Sequence, residues 1–128
     1  MVQQITKGIK ISITSNFEEK RYQYSKIYYA FSYSITIENQ SSDTVQLLSR
    51  HWNIFDSLNN IEIVEGEGVI GEKPIILPKE SYTYNSRCLL TSSMGAMDGY
   101  YNMINFISSE QFKVQIPIFQ LILPATFN

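Results

Sequence analysis

The chain is poor in reactive groups. It has one cysteine, Cys88, so no intrachain disulfide can form, which suits a reducing compartment. It has one histidine, His51, too few for a multi-histidine metal centre. Charge is also scarce: 17% of the residues are charged and the formal net charge is −2. The densest basic cluster is Lys20-Arg21, flanked by Glu18 and Glu19. The basic stripe with which nucleic-acid binders displace counterions from phosphates is therefore missing. No apolar run approaches the ~18 residues of a membrane span. Residues 1–7 carry no basic region leading into an apolar one, as a secretory signal would. The expectation is a cytoplasmic protein that binds neither nucleic acid nor membrane.

What the chain does have is aromatic and β-branched residues, including nine Tyr and seven Phe, which fit a pleated, half-buried surface. Its 128 residues suit one domain, 1–128, burying roughly two thirds of the unfolded surface around a core that needs no metal or disulfide. Period two dominates. Ile9, Ile11 and Ile13 alternate with Lys10, Ser12 and Thr14. Tyr29, Phe31, Tyr33, Ile35 and Ile37 alternate with Ala30, Ser32, Ser34, Thr36 and Glu38, and a polar turn follows at 39–43. Residues 15–25 read as a loop and 66–78 as irregular. Further strands are expected at 45–56, at 61–64 after a turn at 57–60, around Tyr82–Leu90, at 100–107 and from Phe112 onward. No helical period lasts beyond two turns. About seven short strands predict an all-β, antiparallel two-sheet sandwich.

Three stretches taken together resemble the ApaG family, also called CorD in bacteria. They are Val45-Gln-Leu-Leu-Ser-Arg-His-Trp52, Gly66-Glu-Gly-Val-Ile-Gly-Glu-Lys-Pro74 and Phe112-Lys-Val-Gln-Ile-Pro-Ile-Phe-Gln-Leu121. Ile37-Glu-Asn39, Tyr84-Asn-Ser86 and Gly95-Ala-Met-Asp-Gly-Tyr100 support the match. The resemblance implies a fibronectin type III-like or immunoglobulin-like sandwich. It implies genetic links to cobalt resistance and magnesium efflux, and a protein-binding role like that of relatives within F-box and polymerase delta-interacting proteins. The sequence departs from the family at Lys79 and at Ser108-Ser109, where turn glycines are favoured; altered turn types are expected there.

Gly66-Glu67-Gly68-Val69-Ile70-Gly71 fits G-x-G-x-x-G, the pattern that cradles pyrophosphate at a helix start. Pro74 and Pro78 follow at once, no amphipathic helix does, and Glu67 and Glu72 would repel an anion. The plain reading is a loop whose glycines allow positive φ or close approach, with a non-helical anion nest as the alternative. On a regular strand Leu48, Arg50, Trp52 and Ile54 share the apolar face, with Ser49, His51 and Asn53 opposite. A bulge at Ser49 would reverse this. A guanidinium facing inward needs a partner, and Glu67 or Glu72 is expected to supply it, so that Arg50 pins the glycine loop. The sharper alternative is a ligand-binding arginine. The acids Asp56, Glu62, Glu65, Glu67 and Glu72 form no calcium-loop spacing; a divalent cation among them is suggested by the resemblance alone.

Cys88 reads as a small buried hydrophobe, and a Cys88–His51 nucleophilic pair would need the two to be neighbours. No catalytic residue, cofactor or metal site is called for. In the last strand, Phe119, Leu121 and Leu123 take the phase opposite to Phe112, Val114, Ile116 and Ile118. Pro117 favours a bulge or an edge there. Either the strand crosses between sheets, or Pro117, Phe119 and Leu121 form an edge for a partner chain or a second copy. The function expected is a non-enzymatic binding module with an unidentified protein partner, a homodimer being one form of it. Its candidate surfaces are the loop of Gly66, Glu67, Gly68 and Gly71 with Arg50 and His51, and the last strand. The alternative is a small anion, such as phosphate or pyrophosphate, or a divalent cation held by the 66–72 loop.

Overall fold

A computed structural model of the chain describes residues 1–57 and 61–124. Nine strands follow one another: β1 (Val2–Thr6), β2 (Ile9–Gln23), β3 (Lys26–Asn39), β4 (Val45–Asp56), β5 (Glu62–Glu67), β6 (Ile75–Ile76), β7 (Ser81–Leu90), β8 (Met94–Asn105) and β9 (Gln111–Ile122). Two antiparallel sheets form from them, β1-β2-β3-β7 and β5-β4-β8-β9, with β6 added to β4. There is no helix among the described residues, so none could cross a membrane. The all-β, two-sheet reading holds, and the count rises from about seven to nine.

The alternation read from the sequence sets the inner faces. Ile9, Ile11 and Ile13 of β2 and Phe31, Tyr33, Ile35 and Ile37 of β3 are buried. Each such side chain contributes roughly 1.5–3 kcal/mol relative to exposure. Across the sandwich they meet Leu47, Trp52, Tyr101, Met103, Val114 and Ile116. Tyr33, Trp52 and Phe119 form an aromatic triangle with centroid distances of 5.6, 5.6 and 6.0 Å, fastening β3 to β4 and β9. Each ring pair adds about 0.5–1.5 kcal/mol beyond its buried area.

Several boundaries differ from expectation. Residues 15–23 continue β2 instead of looping, and the β2–β3 hairpin closes through Tyr24 and Ser25, both at positive φ. Val2–Thr6 adds an unexpected first strand, and β8 starts at Met94, ahead of the expected 100. The 66–78 segment holds the end of β5 and all of β6. The expected turn at 57–60 falls largely on residues 58–60, outside the described residues. Lys79 and Ser109 keep positive φ, 70° and 59°, so those turns retain the glycine-favoured conformation without glycine.

Two register shifts settle the phase questions. In β4 the shift lies between Leu47 and Ser49, so Leu47 and not Leu48 joins Trp52 inside. Between β8 and β9 the register shifts from Met97↔Phe119 to Gly99↔Ile116, leaving Pro117 and Ile118 opposite Asp98. That bulge turns Phe119 and Leu121 inward after Ile116 and leaves Ile118 exposed. The free edge of β9 lies against β1 and β2: Ser15 Oγ donates to Gln120 O at 3.1 Å, and Gln115 N donates to Thr6 Oγ1 at 3.3 Å. This closes one side of the sandwich. On the other side β7 and β5 end their sheets without pairing with each other.

Candidate functional site

At that open seam lies a cleft of about 580 Å³. Trp52, Ile54, Val64, Met97 and Cys88 give it apolar walls, while Arg50, Arg87, Arg21 and Glu62 are its charged lining. A smaller hollow of about 180 Å³ adjoins it, shared by Tyr33, Arg50, Trp52, Ile70, Tyr84 and Ser86. Arg50 and Trp52 reach the seam because the bulge after Leu47 puts both on the inner face of β4. Tyr33 and Ser86 come from the facing sheet.

The glycine motif closes one end of the seam. β5 runs to Glu67, and a tight hairpin follows in which Val69 N donates to Glu72 O at 2.8 Å and Glu72 N returns to Val69 O at 2.9 Å. Ile70 and Gly71, the two central residues, have φ of 48° and 74°, the sign of a type I′ turn. Gly68 N donates to Leu48 O at 2.9 Å. The amides of residues 68, 69 and 72 are thus spent on the chain itself, and the motif is no phosphate cradle at a helix start. Arg50 does pin it, through a different partner than expected. Its Nη1 donates to Glu67 O at 2.9 Å and Gly68 O at 2.8 Å, two backbone carbonyls instead of a carboxylate. The Glu67 carboxylate pairs with Lys73 Nζ, whose bond and charge hold it below the usual carboxylate range. Gly66 makes room for the guanidinium: a Cβ there would lie 2.8–2.9 Å from Nη2, Cζ and Nη1 of Arg50. A Cβ on Gly68 would lie 2.1 Å from Glu72 O.

His51 lies on the outer face of β4, stacked on Tyr100 of β8 with centroids 4.7 Å apart and planes 4° from parallel. Its Nε2 is 3.2 Å from Asn53 Oδ1, and Nδ1 is 3.4 Å from Glu65 Oε1 without hydrogen-bond geometry. Lys113 Nζ sits 4.4 Å from the Tyr100 centroid. Cys88 belongs to the inter-sheet space, so the second sheet separates it from His51. Burial pushes its thiol up to about 12, helped by the charges of Glu62 and Asp56. The structure therefore does not bring Cys88 and His51 together as a nucleophilic pair. Deeper inside, the hydroxyls of Tyr84 and Tyr101 bond to each other, and burial raises both well above the usual tyrosine range.

The last strand needs correction as an interface. Phe119 and Leu121 are 3% and 0% exposed within this one chain, spent on the core, and Pro117 sits in the bulge. The loop residues and Arg50 do gather at one end of the seam, whereas His51 does not join them. Sequence reasoning missed Tyr33, Ser86, Arg87 and Ile70 as seam residues. Of these only Ile70 had a local sign, a bulky residue inside a glycine turn.

A family model described as the ApaG domain matches residues 19–105. The chain belongs to the ApaG family. Protein ApaG of Mesorhizobium japonicum is 41% identical over 126 residues, covering 98% of this chain and 96% of that one. Protein ApaG of Brucella canis is 40% identical over 124 residues, covering 97% and 95%. Among solved structures, the X-ray structure of a structural-genomics target superposes with a TM-score of 0.87 at 35% identity, covering 92% of this chain and 89% of that one. A crystal structure of a Bordetella pertussis protein designated ApaA gives 0.84 at 32% identity, with 91% and 94% covered.

Proposed function

We propose that this ApaG-family protein is a non-enzymatic binding module that takes an extended segment of a protein partner along the free edge of β7, beside the tip of the 66–72 hairpin. The observation that carries this reading is β7 itself. It is ten residues long, pairs with β3 without a bulge, and holds one charge, Arg87, and no proline. Unpaired edges of that kind invite another strand, and proteins ordinarily blunt them. The other edges here are blunted. β1 has five residues, β5 carries Glu62, Glu65 and Glu67, and β9 has Lys113, Pro117, a bulge and a cover from β1 and β2.

Ile70 adds support. It is a β-branched residue held at φ 48° and 61% exposed, where Asn would be relaxed. Strain of about 1–2 kcal/mol kept in an exposed apolar side chain points to use of that side chain by a partner. A role in cobalt or magnesium handling, which the family resemblance suggests, would run through the partner on this reading. Among the described residues no three His, Cys, Asp or Glu side chains gather where they could hold an ion.

The test begins with a photo-crosslinking residue at Leu89, exposed on β7, and a control at Ile107 in the β8–β9 turn. The partner identified specifically at Leu89 is then purified and its binding measured. Thr83→Lys with Leu89→Lys should abolish binding, and Ile70→Asn should weaken it while raising stability. A second copy of this chain as the partner would show as a doubled mass that Leu89→Lys returns to monomer. Unchanged partner binding in all these variants rejects the β7 surface.

A further inference from the structure

The seam cleft runs along the same free edge of β7, with Ser86, Arg87, Cys88 and Leu89 in its lining, and it has the makings of a small-ligand site. Its volume of about 580 Å³ falls inside the roughly 300–1,000 Å³ of small-molecule pockets. Its walls at Trp52, Ile54, Val64 and Met97 are apolar, and Trp52 and Met97 are almost wholly buried, so the cleft reaches into the core. Its charge is of the opposite sign to the chain. Three arginines line it against one carboxylate, Glu62, in a protein of net charge −2. Arg21 is spent on Glu19 at 2.8 Å. Arg50 and Arg87 pair with no carboxylate among the described residues, and the hydrogen bonds of Arg50 go to neutral carbonyls.

We infer that this cleft binds a small amphipathic carboxylate: an aromatic or branched apolar body against Trp52 and Met97, with its carboxylate at Arg50 and Arg87. The guanidinium is the side chain suited to a planar carboxylate, and apolar walls strengthen the attraction by lowering the local dielectric. A phenyl ring with a short chain fits the volume, whereas a dinucleotide would demand the amide cradle that the hairpin does not offer. The same chemistry occurs in a free acid and in the C-terminal residue of a peptide. A strand added to β7 would lie over this cleft, so a partner on that edge and a free small acid exclude each other, and the titration is made on the chain alone.

Trp52 is the sole tryptophan and lines the cleft, so its fluorescence reports occupancy. The full chain is titrated with 3-phenylpropionate, 3-phenylpropanol and 3-phenylpropylamine, which share a body and differ in charge. The acid should saturate and bind at least tenfold tighter than the alcohol, and the amine should bind weakest. Arg87→Ser, an exposed residue outside the core, should cost the acid about tenfold and leave the alcohol unchanged; Arg50→Lys should weaken the acid with the fold intact by circular dichroism. N-acetyl-Gly-Gly-Phe and its amide form the second arm. A tighter tripeptide acid assigns the ligand to a chain terminus, and a tighter free acid assigns it to a small molecule. Equal affinity for acid, alcohol and amine, or no saturable change with any of them, overturns the inference.

Discussion

Arg50 and Gly66 should behave as one unit. Replacing Arg50 with Met removes two hydrogen bonds from a charged donor, to Glu67 O and Gly68 O. Such bonds contribute about 1.5–3 kcal/mol each when buried. Both carbonyls lie near the rim, where water replaces part of the loss, so the expected cost is roughly 2–3 kcal/mol in total. With a urea slope of about 2 kcal/mol per molar, the midpoint falls by about 1 M. Gly66→Ala puts a Cβ 2.8–2.9 Å from the guanidinium, the flexible end of the side chain, and should displace it and lose the same bonds. In the Arg50→Met background that clash is gone, because an unbranched thioether adapts, and Gly66→Ala should then be nearly free. The double variant should cost no more than Arg50→Met alone, a coupling of about 2 kcal/mol. Urea unfolding followed by Trp52 fluorescence and circular dichroism measures the cycle. Amide exchange of Gly68, Val69 and Glu72 should accelerate in both single variants. Additivity within about 0.5 kcal/mol, or unchanged exchange at those amides, would refute the idea that Arg50 holds the hairpin.

Three further outcomes are expected. Leu77-Pro78-Lys79-Glu80 forms a turn in which Glu80 N donates to Leu77 O at 3.0 Å, with proline second and positive φ third, the type II pattern. Lys79→Gly should therefore stabilise the protein by up to about 1 kcal/mol in thermal unfolding, and a loss would contradict the turn assignment. Tyr101→Phe strands the buried Tyr84 hydroxyl and should cost about 1–3 kcal/mol, whereas Tyr84→Phe with Tyr101→Phe should cost less than the two singles summed. With the folded Cys88 thiol near 12 and its ordinary value at 9.0, the unfolded chain loses this proton first as pH rises. Its contribution is thus complete below about pH 9 and fades between there and about pH 12, a slope that Cys88→Ala should reduce. Labelling of the native thiol at pH 8 should be far slower than in urea; equal rates would place Cys88 at the surface.

The fold was legible where side-chain alternation is strict. β3 keeps one parity from Tyr29 to Ile37, and all of its inner residues from Phe31 on are buried. Legibility failed where parity breaks or where the turn residues are atypical. The hairpin between β2 and β3 turns on Tyr24-Ser25, and that between β1 and β2 on Lys7-Gly8, with positive φ at all four positions. Neither contains the Asn-Gly or Asp-Gly pair that marks a type I′ turn, so the polar run at 15–25 read as a loop and β1 went unread. The bulge after Leu47 was considered one residue away, at Ser49, and the error assigned Leu48 in place of Leu47 to the inner face while leaving Arg50 correctly placed.

The site was harder to read because its defining feature is a pairing that does not form. No residue of β5 or β7 announces that the two strands end their sheets side by side and leave a gap. That follows from strand order, a property of the whole chain. The glycine motif shows how local pattern and global role diverge. Its first glycine clears space for the Arg50 side chain of β4, which returns two hydrogen bonds, and its second admits Glu72 O. The last sits at positive φ beside a strained isoleucine. In G-x-G-x-x-G sequences that start a helix, the same spacing exposes amides to phosphate. Here the amides close a hairpin and the carbonyls face a cation, so the polarity of the motif is reversed. The carbonyls of Glu67 and Gly68 face the Arg50 guanidinium, and on the proposal made here the groups that meet an anion are the guanidiniums of the seam.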